Sequence, residues 1–292
     1  MFSPFHPSRV SRLLAQFALI TILSTLCGCQ TTESSQSTPA KIKAGPPGAK
    51  PPRLFTAILA GPLPAVIFES GLGETWDSWR EVAPHTAPFA LSCAYDRAGL
   101  GKSEKGALPR DGRQIAVELH DTLHAAQIAP PYILVAHSAG ALYSRVFAGL
   151  FPNEVAGLVW VEPATVDFFD ALKTNYPTEY NVFLMRKDAK KLPTGAPVPE
   201  GVRNEAAAWD ATIEEARGSI LPKVPMTVIT AEESWPQQAG LWWQAHEDAL
   251  KQSSDPRHVL AKKTGHYVQL NQPELVVQCI LEVISESKTS PH

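Results

Sequence analysis

The chain has 292 residues, and its 26 Lys and Arg residues against 29 Asp and Glu residues give a formal net charge of −3. This balance, without a long basic run, argues against nucleic acid as a partner. With 4 cysteines the chain lacks a disulfide framework, and Cys93 and Cys279 are expected either to pair or to remain buried thiols.

Residues 1–28 have the pattern of a bacterial export signal. Arg9 and Arg12 precede a mostly apolar stretch from Leu13 to Leu26, which is shorter than the roughly 20 residues that a membrane span needs. The pattern therefore predicts a cleaved signal peptide, with an uncleaved anchor as the alternative.

The segment Leu26-Cys27-Gly28-Cys29 follows, and it resembles a bacterial lipobox. The resemblance implies cleavage after Gly28, lipidation of Cys29 and, because Gln30 is not an Asp, transport to the outer membrane. The lipid would tether the protein to that membrane, facing the periplasm. Ordinary secretion with a free Cys29 is the alternative.

Residues 29–52 are rich in Thr, Ser, Pro, Gly and Lys, a composition that buries too little apolar surface to fold and predicts a flexible tether. Residues 53–288 are predicted to form one globular domain, of a length normal for α/β folds. Removal of residues 1–28 would leave 24 Lys and Arg residues and a net charge of −5.

Short apolar runs alternate with helical patterns along this domain. A helix is predicted at 114–127, where Ile115, Leu119 and Leu123 share one face. Strands are predicted at 65–68, 90–95, 132–136, 157–161, 226–230 and 259–261. Continuous apolar strands separated by helices predict an α/β fold, with a doubly wound and mostly parallel sheet covered on both faces.

The interval from about 164 to 221 is too long for a simple crossover between strands. It predicts a helical cap inserted after the strand that ends near Glu162. The aromatic residues of this interval could line an apolar acyl pocket or form the cap's own small core, and the sequence leaves both open. They are Phe168, Phe169, Tyr176, Tyr180, Phe183 and Trp209.

The segment Ala136-His137-Ser138-Ala139-Gly140 joins a predicted strand to a predicted helix. A serine on a sharp strand-to-helix turn, with small residues two positions before and after it, is typical of a nucleophile elbow. Such a turn exposes the hydroxyl at the edge of the sheet and puts the next N–H at a helix N-terminus, where it can bind an anion. Ser138 is therefore the candidate nucleophile.

Three further segments occur in order around the elbow: Glu69–Gly73, Tyr95–Ser103 and Thr264–Tyr267. With the elbow they resemble the α/β-hydrolase superfamily, and in particular its capped, esterase-like serine hydrolases, over residues 64–285. The resemblance implies the α/β-hydrolase fold, with Ser138 as nucleophile and His266 as general base. It also implies an oxyanion hole made by the backbone N–H groups of Leu72 and Ala139, and neither a metal nor an organic cofactor.

The acid of the triad is where this chain departs from the commonest pattern. The family's acid usually follows the strand that begins here at Met226, but that position is Ser234, which cannot balance a histidinium. Some members carry the acid one strand earlier, and that pattern favours Glu162. The adjacent pair Glu233 and Glu232 are the alternatives.

Other polar residues have weaker signals. Asp96 and Arg97 are expected to tie together a loop beside the active site. His120 and His124 have the i, i+4 spacing that can hold a metal, but no third ligand is evident and a solvated helix face is favoured. His246 is expected on an ordinary surface helix.

These expectations combine into an exported, lipid-anchored serine hydrolase that cleaves a carboxylic ester or related acyl bond through an acyl-enzyme on Ser138. The expected partners are a small acyl substrate and, through the lipid, a membrane. An aminopeptidase or a carbon–carbon bond hydrolase could use the same triad, and a non-catalytic binding lipoprotein could keep the fold. Serine rather than Asp at the elbow disfavours a dehalogenase or an epoxide hydrolase.

Overall fold

The computed structural model describes residues 52–181, 197–235 and 238–288. The expected signal peptide, the lipidation site at Cys29 and the tether up to residue 51 lie outside these residues. Within the described ranges, no helix combines the length and apolar character needed to cross a membrane.

Seven strands of the described residues form one sheet. They are β1 (Thr56–Leu59), β2 (Ala65–Glu69), β3 (Ser92–Tyr95), β4 (Tyr132–His137), β5 (Val155–Val161), β6 (Pro225–Ala231) and β7 (Asp255–Ala261). The spatial order is β1-β3-β2-β4-β5-β6-β7, and every neighbouring pair is parallel except β1 with β3. The mostly parallel sheet is therefore confirmed, with the short antiparallel edge strand β1 as an addition that the sequence did not predict.

The helices whose bounds the structure describes at both ends flank this sheet. They are α1 (Ala83–Thr86), α2 (Gly112–Ala125), α3 (Gly140–Leu150), α4 (Val166–Asn175), α5 (Glu200–Ala207), α6 (Trp209–Gly218), α7 (Ala239–Leu250), α8 (Val268–Asn271) and α9 (Pro273–Ser287). The helix predicted at 114–127 is α2, which begins two residues earlier because the Asp111 side chain accepts a hydrogen bond from the Gln114 N–H.

Strands β2 to β6 are buried on both faces of the sheet, which explains why they are mostly apolar along their length. Along β4, Leu134 and Ala136 belong to an apolar cluster that includes side chains of α2 and α3. The alternate residues Ile133 and Val135 belong to a second cluster, which includes side chains of α9. This alternation fixes which side chains of β4 face each of the two clusters. The turn after β4 lies at the carboxyl edge of the sheet.

Helices α4, α5 and α6 lie between β5 and β6, where the sequence predicts a cap. Phe168, Phe169 and Trp209 are buried in the same apolar cluster as α2 and α3. Tyr176 and Tyr180 are partly buried against that cluster, and Phe183 lies outside the described residues. The described aromatic residues of the insertion are thus continuous with the main core.

Cys93 and Cys279 are both buried free thiols rather than a disulfide. Burial raises the pKa of each thiol to about 12. Both thiols are therefore protonated and inert at neutral pH.

Candidate active site

Ser138 lies in the turn between β4 and α3. Its φ of 51° is in the left-handed region, which an elbow of this kind requires and which is unusual for a residue other than Gly. Its N–H donates to the Val161 carbonyl at 3.1 Å. A side chain at Gly140 would put a Cβ 2.6 Å from the Glu69 carbonyl oxygen, so the small residue two positions after the serine is a steric requirement.

Glu162 directly follows β5, the neighbour of β4 in the sheet. Its φ is also 51°, and its side chain is completely buried. The Nδ1 atom of His266 lies 3.1 Å from Glu162 Oε2. The Ala164 N–H donates to the Ser138 carbonyl at 2.9 Å, so the segments that carry the serine and the carboxylate are joined directly by backbone hydrogen bonds.

The second oxygen of Glu162 is held by two donors. Glu162 Oε1 accepts hydrogen bonds from the Ala231 N–H at 2.6 Å and from Trp242 Nε1 at 3.1 Å. Burial alone would raise the pKa of Glu162, but the hydrogen bond and the charge of His266 lower it below its ordinary value. Glu162 is therefore ionised at neutral pH and oriented toward His266.

The two alternative carboxylates are exposed. Glu232 Oε2 accepts a hydrogen bond from the Lys263 N–H at 2.9 Å, and the Glu233 N–H donates to the Thr264 carbonyl at 3.0 Å. Among these three candidates, Glu162 is the one that is buried and in contact with His266.

A second histidine–carboxylate pair lies beside the first. His137 Nδ1 is 3.1 Å from Glu74 Oε2, and His137 Nε2 is 3.0 Å from the backbone oxygen of His266. Since both ring nitrogens face acceptors, both must carry a proton, which is the charged imidazolium form. Sequence reasoning missed Glu74, whose only signal is its position directly after the Gly-Leu-Gly turn.

The electrostatics of this buried pair agree with an ionised state. Burial would raise the pKa of Glu74, but His137 and the hydrogen bonds from Ser78 and Gly71 lower it to about 2. Burial would lower the pKa of His137, but the Glu74 carboxylate and the hydrogen bond to His266 raise it above its ordinary value.

The comparisons with known proteins agree with the fold. The sequence pattern of the family described as "alpha/beta hydrolase fold" matches residues 64–194. The chain is 28% identical over 222 residues to the uncharacterized protein YqjL of Bacillus subtilis, with 75% of this chain and 82% of that protein covered. Its structure is similar to an esterase of Thermogutta terrifontis, with a TM-score of 0.62, 16% identity, and 87% of this chain and 100% of the esterase covered. It is also similar to an epoxide hydrolase of Vigna radiata, with a TM-score of 0.67, 16% identity, and coverage of 85% and 98%.

The chain has the alpha/beta hydrolase fold. The fold implied by the sequence resemblance is confirmed. In this fold, the turn Gly71–Gly73 after β2 lies beside the elbow, because a Cβ at Gly140 would lie 2.6 Å from the Glu69 carbonyl oxygen and 2.8 Å from that of Ser70. Leu72 is half-buried in that turn, and Ala139 caps α3 at its N-terminus. The first turn of a helix leaves backbone N–H groups without helical acceptors, so the Ala139 N–H is suited to an anion.

Arg97 ties the glycine-rich turn to the inserted helices. Its guanidinium donates to Glu69 Oε1 and to the carbonyl oxygens of Ser70 and Gly71, each at 2.6 Å. It also forms a bidentate pair with Glu205 of α5, at 2.7 and 3.0 Å. This agrees with the loop-tying role expected for Arg97.

Glu205 also contacts the glycine-rich turn directly. The Gly73 N–H donates to Glu205 Oε2 at 3.2 Å, and the Val202 side chain packs where a Cβ of Gly73 would lie. Asp96, the neighbour of Arg97, accepts hydrogen bonds from the N–H groups of Trp76 and Lys102, each at 2.8 Å. Sequence reasoning missed Glu205, because nothing local distinguishes it from an exposed helix residue.

The expectation that His246 lies on an ordinary helix surface is wrong. Its side chain is completely buried, with Nδ1 2.6 Å from Thr230 Oγ1 and Nε2 3.0 Å from the Pro163 carbonyl. Burial lowers the pKa of His246 to about 4, so the ring is neutral and Nε2 carries its proton to bond Pro163. His246 therefore supports the segment that follows the Glu162 carboxylate.

Proposed function

We propose that this protein is a serine hydrolase that cleaves a carboxylic ester, or a related acyl bond, through a covalent acyl-enzyme on Ser138. The observation that carries the proposal is the buried, ionised Glu162 against His266 Nδ1, next to the strained elbow that holds Ser138. This is the arrangement of a nucleophile, a base and an orienting acid that acyl transfer requires.

The chemistry follows from the tautomer of His266. The Glu162 carboxylate accepts a hydrogen bond from the Nδ1–H of His266, which puts the lone pair of the ring on Nε2. Nε2 takes the Ser138 hydroxyl proton as the oxygen attacks a carbonyl carbon. Glu162 stabilises the imidazolium that forms. The same proton then passes to the leaving group, and a water molecule activated by His266 hydrolyses the acyl-enzyme.

The negative charge that develops on the attacked oxygen needs fixed donors. The Ala139 N–H, at the N-terminus of α3, and the Leu72 N–H, in the glycine-rich turn, are the proposed pair. Loss of one such donor commonly slows acyl transfer by about 10²- to 10³-fold.

The elbow residue argues for acyl transfer rather than for the reactions of two groups with this fold. The dehalogenases and epoxide hydrolases of this fold resemble a form that has Asp at the elbow, whereas this chain has Ser138. A serine hydroxyl that attacks an acyl group forms an ester with it. Amide or carbon–carbon bond cleavage by the same triad is tested by the choice of substrates: a panel of p-nitrophenyl esters of increasing chain length, together with a matched p-nitroanilide. Turnover of the anilide with no turnover of any ester would contradict an esterase.

The nucleophile is tested by labelling with a fluorophosphonate probe. We expect the full chain to be labelled, and Ser138→Ala to abolish labelling and to lower ester turnover by more than about 1,000-fold. Ser254→Ala, which removes an exposed hydroxyl elsewhere, is the matched control and should leave both unchanged. A fully active Ser138→Ala variant, or an unlabelled wild type, would overturn the proposal.

The proposal extends to the location of the enzyme, in the bacterial cell envelope on a lipid attached to Cys29. The supporting observation is the Leu26-Cys27-Gly28-Cys29 segment after an apolar stretch. In a bacterial host, Cys29→Ser should release the protein from the membrane fraction and remove the lipid mass. Cys27→Ser is the control, because the segment keeps a small residue there and should still be processed. Equal membrane association of wild type and Cys29→Ser would refute the anchor.

A further inference from the structure

A cluster of metal-ligating side chains lies away from the active site. His120 and His124 are one turn apart on α2, and Glu154 is the last residue of the 3₁₀ turn Pro152–Glu154, just before β5. His120 Nε2 lies 3.2 Å from Glu154 Oε1, and His124 Nε2 lies 3.2 Å from Glu154 Oε2. One ligand atom from each of the three residues falls within 4.8 Å of the others.

These side chains are held in place before any ligand binds. The His120 ring stacks on Phe151, with centroids 3.8 Å apart and an interplanar angle of 10°, and lies 4.2 Å from the His124 ring. The Glu154 N–H donates to the Phe151 carbonyl at 3.0 Å, which fixes the turn. His120 Nδ1 is 3.5 Å from Asp121 Oδ1, and a carboxylate there is the usual partner of the outer nitrogen of a metal-bound histidine.

We propose that His120, His124 and Glu154 bind one Zn²⁺ ion, with solvent as the fourth ligand. Two imidazoles and one carboxylate are a recurrent zinc ligand set. Ligand atoms bound at about 2.0–2.1 Å in a tetrahedron lie about 3.3 Å from one another. Each histidine nitrogen lies 3.2 Å from a different oxygen of Glu154, which is Oε1 for His120 and Oε2 for His124, and one ligand atom of each residue lies within 4.8 Å of the others. The ion therefore fits between these atoms after small side-chain adjustments, and it replaces the protons that the nitrogens otherwise donate to Glu154.

The position of this site assigns it a structural task. Val155, next to Glu154, pairs with Tyr132 at the start of β4, whereas Ser138 follows the end of the same strand. The length of β4 separates the two ends by roughly 20 Å. The ion cannot act on a substrate at Ser138, but it connects α2 to the turn that leads into β5. His120 and Glu154 are each 21% exposed and His124 is 48% exposed, so solvent and metal can enter.

The site is tested on the untagged full chain after treatment with a chelator. Titration with ZnCl₂ in competition with a chromogenic chelator should give one ion per chain with a dissociation constant in the micromolar range or tighter. The melting temperature should rise with zinc and stay constant with Mg²⁺, which prefers oxygen ligands. His124→Ala and Glu154→Gln should each weaken binding at least tenfold, while His85→Ala, which removes another exposed helical histidine, should bind as the wild type does.

Ester turnover should be the same with and without the ion, so this test does not depend on the proposed function. His124 is half exposed, and circular dichroism of the metal-free His124→Ala protein should match the wild type. Wild-type binding weaker than 100 µM, an equal effect of Mg²⁺, or unchanged zinc affinity in His124→Ala and Glu154→Gln would overturn the proposal.

Discussion

His137, the residue before the candidate nucleophile, donates from Nε2 to the backbone carbonyl of His266 at 3.0 Å. His266, the proposed general base, is thus held from two directions, by Glu162 at its ring and by a charged His137 at its backbone. The charge on His137 is in turn balanced by Glu74. The buried pair of His137 and Glu74 therefore fixes the loop that carries His266.

The role of Glu162 is separable from that of the carboxylates after β6. Glu162→Gln keeps the shape of the side chain but cannot balance a histidinium, and we expect turnover to fall by on the order of 10⁴-fold. Glu233→Gln, at an exposed residue, should stay within about twofold of the wild type. Ester turnover of both variants decides the matter, and near-normal activity in Glu162→Gln would contradict the assignment.

Glu74 is expected to act as a positioning residue. Glu74→Gln leaves the His137 charge without a counter-ion, and the loss of one partner of a buried pair costs about 3–5 kcal/mol of unfolding free energy. The remaining folded enzyme should show a lower kcat with a nearly unchanged KM, because the base is displaced rather than the substrate site. Glu81→Gln, at an exposed carboxylate in the same segment, is the control. Equal loss of stability in Glu74→Gln and Glu81→Gln would contradict a stabilising ion pair between Glu74 and His137.

The same pair predicts a pH window of stability. The Glu74 pKa is lowered from 4.5 to about 2, so its contribution is complete above pH 4.5 and is lost as pH falls toward 2. The His137 pKa is raised above 6.5, so its contribution is complete below pH 6.5 and is lost as pH rises through the folded value. The difference in unfolding free energy between wild type and Glu74→Gln, from urea denaturation, should therefore be greatest between pH 4.5 and 6.5. A difference that is constant from pH 3 to pH 9 would contradict this.

Glu205 is expected to link the inserted helices to the glycine-rich turn that carries the proposed oxyanion hole. Glu205→Gln removes the negative charge opposite Arg97. The side chains of Glu205 and Arg97 are each about 1% exposed, and the substitution should cost about 3–5 kcal/mol of unfolding free energy. Because the Gly73 N–H also binds this carboxylate, kcat should fall too. Glu200→Gln breaks only an exposed pair on the same helix and should leave stability nearly unchanged. Unfolding curves and ester turnover measure both effects.

Gly140→Ala tests the packing of the elbow against β2. The added Cβ would lie 2.6 Å from a backbone oxygen that has no room to move between paired strands. We expect a destabilisation of about 1–3 kcal/mol and a large loss of turnover, whereas Gly240→Ala, in α7 with open space around it, should be neutral or stabilising. Normal activity in Gly140→Ala would show that the elbow tolerates a wider turn.

Features that depend on residues close to one another in the chain were predictable from the sequence. The apolar strands, the elbow and the order of the motifs gave the fold, because burial on both faces leaves strands continuously apolar. Strand β1 was missed, since a short half-buried edge strand has no such pattern. Glu74, Glu205 and Trp242 were missed because their partners lie 63, 108 and 80 positions away, and His246 was misplaced because a buried histidine and an exposed one have the same local sequence.

Ser138 and Glu162 follow neighbouring parallel strands and are joined through the hydrogen bonds from Ser138 N–H to Val161 and from Ala164 N–H to the Ser138 carbonyl. The separation of the proposed nucleophile and the proposed acid is therefore fixed by the spacing between β4 and β5, not by a loop. Natural variation can lengthen, shorten or exchange the segment after β6, including Glu232 and Glu233, while the two residues keep their alignment. The surface around the proposed active site is therefore free to change while the spacing of Ser138 and Glu162 stays constant.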